Sequence, residues 1–180
     1  APSWDGKTHD FTEWDKRSAG RDLLAHEFNH SWDGKYRRGA DLFTPDYRMP
    51  MQNSLLWVYE GQTQFWGNIL SARSGMMPVE DIKAELARTA AYYSTMPGRT
   101  WRPLIHTTND PIISARQPKP FPSWQRSEDY YSEGMLIWLD VDSIIRERTG
   151  GSKSIDDFAR AFFGINPGDQ GISTYTFDDV

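Results

Sequence analysis

Ala25-His26-Glu27-Phe28-Asn29-His30 sets two of the chain's four histidines on either side of a carboxylate. If the stretch is helical, His26 and His30 lie one turn apart on one face, because residues i and i+4 stack along a helix. Two imidazoles so placed can reach one metal ion, with Glu27 beside it. The pattern therefore demands a helix here, a third ligand from elsewhere, and a fold that brings the two together.

The bulk numbers leave room for such a fold. With 180 residues, 38% apolar and 14% aromatic, the chain can bury one core, and two domains would be cramped. A single domain over residues 1–180 is expected. A net charge of −5 argues against a nucleic-acid surface, and no run of sequence is long and apolar enough for a membrane span. Cysteine is absent, so any metal must be held by His, Asp or Glu, and the redox compartment stays open.

Outward from the opening stretch, residues 18–32 read as a first helix, with Ser18 as its cap and Asp33-Gly34 as the turn that ends it. Residues 1–17 are polar and read as irregular. Residues 35–52 read as a loop whose cations, Lys35, Arg37, Arg38 and Arg48, are expected in solvent or against helix-end carbonyls. Residues 54–74 suit a second helix, apolar nearly all round and therefore buried. Pro78 opens a third, amphipathic helix to about residue 96.

Residues 97–126 hold six prolines and no helical period. So long a structureless stretch is often a binding wall or cover, and its Trp101, Ile105, Ile112, Ile113, Phe121 and Trp124 are expected to lie on something apolar. A fourth helix is expected from Ser127 to Arg148, ended by Gly150-Gly151, and a fifth from Ser154 to Gly164. Thr176 and Asp179 have capping-box spacing just before the end, as if a helix were starting, which suggests a piece of a longer polypeptide. No segment alternates as a strand. The fold class is mostly α, with about five main helices.

Within that frame Glu60 is the expected third ligand. A carboxylate in the middle of a buried helix needs compensation, and a dication supplies it. Asp33, Asp41 and Asp46 lie on loop or turn, where solvation explains them. H-E-x-x-H with a third ligand is the donor set of a zinc hydrolase, in which Glu27 handles the proton of the attacking water. An oxyanion needs a further donor, and Tyr130 and Tyr131 are both candidates. Gln64, one turn past Glu60, could accept the outer ring N–H of a ligand histidine. His9 and His106 read as ordinary residues.

The combined pattern resembles a known family. His26-Glu27-x-x-His30 followed by Trp57-Val58-Tyr59-Glu60-Gly61 is similar to the gluzincin (thermolysin-like) zinc peptidases. His30-Ser31-Trp32-Asp33-Gly34-Lys35, Ser54 through Thr63, Tyr130-Tyr131-Ser132-Glu133-Gly134 and the stretch from Arg146 to Phe158 resemble the glycyl aminopeptidases of metallopeptidase family sixty-one. The resemblance implies a helical catalytic domain binding one Zn2+ through His26, His30 and Glu60. It further implies Glu27 as general base and acid, and Tyr131 rather than Tyr130 as the oxyanion donor. Its substrates would be peptides with small N-terminal residues, and its location secreted, periplasmic or in the cell envelope.

The chain departs from the family at Glu133, where related aminopeptidases often carry lysine. The glycine-rich substrate-binding segment expected ahead of H-E-x-x-H and a C-terminal PDZ-like domain are expected to belong to the parent chain. Two other readings fit the same residues: a catalytically silent metal- or peptide-binding module, and a zinc hydrolase of a non-peptide substrate.

Overall fold

A computed structural model describes residues 20–114, 117 and 119–180. Ser18, His9 and the irregular segment 1–17 lie outside the described residues. Helix dominates what is described, as expected.

The central element is α2, Leu56–Arg73, with nine buried side chains or backbones along its length, including Val58, Phe65 and Trp66. It is buried because helices flank it on both sides. On one side runs α1, Asp22–Asn29. There a Cβ on Gly67 would stand 3.1 Å from both the Asp22 carbonyl oxygen and the His26 Cβ. On the other side runs α6, Ser132–Arg148, where Gly61 and Gly134 meet backbone to backbone. A Cβ on Gly61 would fall 2.8 Å from the Gly134 Cα, closer than a side chain can sit. The helix crossing is therefore written in glycine. Trp138 of α6 and Phe65 of α2 anchor a core that also takes in Met135, Ile155, Phe162 and Tyr175.

Helix α3, Val79–Ser94, packs through Ile82 and Tyr93, and α7, Ile155–Phe163, closes the core with Ile155 and Phe162. The start of α7 matches the sequence expectation. Ser154 Oγ accepts from the Asp156 N–H, and the Asp157 carboxylate accepts from the Ser154 N–H at 2.9 Å. Asp179 likewise accepts from the Thr176 N–H and hydroxyl, and a 3-10 turn over Phe177–Asp179 follows.

Three expectations need correction. First, strands exist: β1, Arg37–Gly39, pairs in parallel with β2, Ser173–Tyr175. Three-residue strands are too short to alternate visibly, and their pairing joins distant parts of the chain. Second, residues 97–126 are not structureless. They contain 3-10 turns at Pro97–Thr100 and Leu104–Thr107, then α4, Asp110–Ile113, and α5, Pro122–Gln125. Single turns of helix leave no period to read. Their apolar side chains stay largely exposed, with Trp101 and Trp124 packed on each other at 5.9 Å. Third, regular helix in α6 begins at Ser132 instead of Ser127, after an intervening turn.

Of the loop cations, Arg37 is buried, donates to the Phe162 carbonyl at the end of α7 and lies 4.2 Å over the Phe162 ring. Arg38 donates to the Gly34 carbonyl, and Arg48 pairs with Asp46 at the surface. Among the described residues, no helix is long and apolar enough to cross a membrane.

Candidate metal centre

Helix α1 presents His26 and His30 to α2, both buried, their rings edge to face at 4.8 Å. Glu60, one turn into α2, points back between them. Its Oε2 lies 3.4 Å from His26 Nε2 and 3.5 Å from His30 Nε2. The structure thus brings together the three side chains singled out from sequence, and their donor atoms all lie within 4.8 Å of one another.

Two ligands about 2.1 Å from a tetrahedral zinc ion stand roughly 3.4 Å apart. The Glu60–histidine separations fit that geometry. Glu60 Oε2 is buried and makes no hydrogen bond, which is costly for a carboxylate oxygen unless a cation takes it. The residues therefore fit a divalent ion of the zinc class, with nitrogen and oxygen donors and no thiolate.

The tautomer of His30 follows from its neighbour. Its Nδ1 is 2.9 Å from the Asp33 carbonyl oxygen, which can only accept. Nδ1 therefore carries the proton, and the neutral ring turns a lone pair on Nε2 toward Glu60. Tyr59 stacks on the same ring at 4.8 Å, and its phenol presses on Gly34. That glycine has φ of 120°, and a Cβ there would collide with the phenol ring. His30 is gripped from two sides.

The electrostatics match. Burial works against a charged Glu60, yet His26 and His30 close beside it hold its pKa down to about 2. Burial also disfavours an imidazolium at His30, but Glu60, the Asp33 carbonyl and the Glu27 charge together lift its pKa above the ordinary value. The centre is built to hold positive charge.

Glu27 is exposed beside His26, and its charge is felt at both His30 and Tyr59. Tyr131 is half-buried at the start of α6, its ring 6.2 Å from that of His26. Tyr130 is 2% exposed, and burial pushes its hydroxyl pKa up. Geometry separates the two tyrosines: Tyr131 borders the histidines and Tyr130 belongs to the packing behind it, the rings 4.7 Å apart.

Two expectations about the surroundings fail. Gln64 does not serve a ligand histidine; its amide donates to the Asp22 carboxylate at 3.0 Å. The Asp22 carboxylate, a charged acceptor in the first turn of α1, takes the amide N–H and draws the side chain to itself. His26 Nδ1 is left buried without a hydrogen-bond partner. Asp33 is not a solvated turn residue either: it is fully buried, while Asp46 makes an exposed turn contact as expected and Asp41, part-buried, accepts from the Ser54 N–H just ahead of α2. Burial, with the Glu60 charge nearby, raises the Asp33 pKa well above the usual range, against the hydrogen bond from Thr63 and the charge of Arg37. Asn29 donates to Thr63 Oγ1 at 3.0 Å, so α1, α2 and the turn at Asp33 are tied together beneath the histidines. A sequence signal existed in Thr63, a polar side chain one turn past Glu60 on a buried helix. His106 is exposed and plays no part in this cluster.

Comparison with known sequences supplies the remaining finding. The sequence model of the M61 glycyl aminopeptidases matches residues 19–137, which span every residue of the cluster, while a search of curated proteins found no match.

Proposed function

The chain belongs to the M61 glycyl aminopeptidase family and is thereby a peptidase, and from that premise we propose that His26, His30 and Glu60 hold one zinc ion for peptide-bond hydrolysis. The observation that carries this reading is the convergence of His26 Nε2, His30 Nε2 and a hydrogen-bond-free Glu60 Oε2. When bound, the ion supplies Lewis acidity to the scissile carbonyl and to water.

The side chains divide the remaining work. Glu27, next to His26 and open to solvent, accepts the proton of the attacking water and returns it to the leaving amine. Tyr131 directs its hydroxyl toward the carbonyl oxygen, where negative charge develops as the carbon becomes tetrahedral. The Asp33 carbonyl and Tyr59 keep the His30 ring from turning. The favoured substrates are peptides with glycine or alanine at the N-terminus, a preference supported by the family's activity.

Replacing Glu27 with Gln preserves shape and removes the base. Glu27→Gln is expected to retain the metal and to lower kcat on a glycyl or alanyl peptide by at least about 100-fold. Undiminished turnover with metal in place would overturn the role of Glu27.

A further inference from the structure

Tyr131 precedes the first residue of α6, in a turn whose N–H groups reach back to the residues before it: Tyr131 donates to the Glu128 carbonyl at 3.3 Å and Glu133 to the Asp129 carbonyl at 2.8 Å. Its own side chain does no capping there. The residues on either side are held from outside the helix. Arg126 donates from Nε to Asp129 Oδ2 at 2.8 Å and from a terminal nitrogen to Glu133 Oε2, so one guanidinium grips the positions two before and two after Tyr131. Its other terminal nitrogen donates to the Arg102 carbonyl. Arg102 in turn holds Asp110 and the Gln125 carbonyl, so α4 and α5 are tied to the same point.

This is an unusual place for an arginine. Arg126 is 2% exposed and has φ of 60°, a left-handed conformation that a residue with a Cβ adopts only when its surroundings impose it. Gly98 is packed against its side chain, leaving no room for a Cβ. The second carboxylate, Glu133, also meets Arg99 at 2.6 Å, so the acidic residue that stands where related enzymes often carry lysine is fully compensated.

We propose that Arg126 is the positioning residue of Tyr131: its fork across Asp129 and Glu133 sets the turn that aims the phenol at the metal centre. The inference rests on the role given to Tyr131 above. Arg126 touches no substrate; the contact at Gly61 seats the backbone of Gly134 and the Tyr130 carbonyl, while the arginine fork holds the side chains two places to either side of Tyr131. Lysine keeps the charge at this position but cannot span two carboxylates in a fixed plane.

Arg126→Lys in the full chain is therefore expected to keep its metal content while kcat on a glycyl peptide falls about tenfold and KM changes less than threefold. In a Tyr131→Phe background the same replacement should cost nothing more, because the group it aims is gone. Losses that multiply in the double variant would overturn the proposal. If Tyr131→Phe alone leaves kcat unchanged, the oxyanion role has failed, which is a separate result. Positioning is then read directly from the nuclear Overhauser contact between the Tyr131 and His26 rings: its loss in Arg126→Lys supports the proposal, and its persistence overturns it. Should Arg126→Lys fail to fold, Glu133→Gln opens the same fork and is read in the same way.

Discussion

At His30 a single hydrogen bond, from Nδ1 to the Asp33 carbonyl, decides which nitrogen faces Glu60 in the candidate metal centre. The acceptor is backbone, so the Asp33 side chain is free of that task, and its carboxyl is fully buried with one oxygen unpartnered. Among the described residues no cation reaches it within ion-pair distance. Asp33→Asn keeps the shape and removes a charge that the interior disfavours. Thermal or denaturant unfolding of the variant should show a change between zero and about 1 kcal/mol of stabilisation. A loss of more than about 2 kcal/mol would mean that the carboxylate has a partner, such as an ordered ion, that the contacts do not reveal.

At the scale of elements, the α2–α6 crossing carries the strictest requirement. Gly61→Ala places a methyl against backbone that cannot yield without separating the helices. Overpacking of this kind costs about 1–3 kcal/mol, and the separation should also lower metal affinity, because Glu60 is the neighbouring residue on α2. Equilibrium unfolding and zinc titration check both; an unperturbed variant would mean that the crossing is loose. The contact joining α2 to α7 is weaker. Arg73 donates two hydrogen bonds to Asp156, and these hold that carboxyl below its ordinary value of 3.8.

A depressed carboxylate stabilises the fold above its unfolded pKa and loses that contribution as pH falls through the folded value. Both side chains are substantially exposed, so Asp156→Asn should cost less than about 1 kcal/mol at neutral pH and nothing measurable near pH 2. Unfolding curves at the two pH values would show it. A gap that widened on acidification would contradict the sign.

The elements also show what a sequence can carry. The long helices α2 and α3 were legible because each carries its apolar residues over several turns, and the short α7 because it announces its start with a cap. The pair β1 and β2 was not, because three residues cannot alternate visibly and their partners are far apart in the chain. In the site, His26, His30 and Glu60 stood out because their spacing implies a shared face and because a buried acid needs a reason. Asp33 and Gln64 were misread for the opposite cause: burial and choice of partner are tertiary, and nothing within a few residues of either reports them.

For the molecule as a whole, the fold holds α1, α2 and the start of α6 around one point. A ligand that binds only this arrangement stabilises it by RT ln(1 + [L]/Kd), about 2.7 kcal/mol at a hundredfold excess over Kd. Chelation should therefore lower Tm by several degrees, and added zinc should restore it. A Tm indifferent to chelator and zinc, in protein shown to have lost and regained the ion, would separate the site from the stability of the fold.

The most direct test of the central claim is the zinc content of purified protein beside that of Glu60→Ala. The account predicts about one zinc per chain in the unaltered protein and a large loss in the variant, since His26 and His30 alone leave the donor set incomplete. Much less than one zinc in the unaltered protein, or the same content in both, would contradict it.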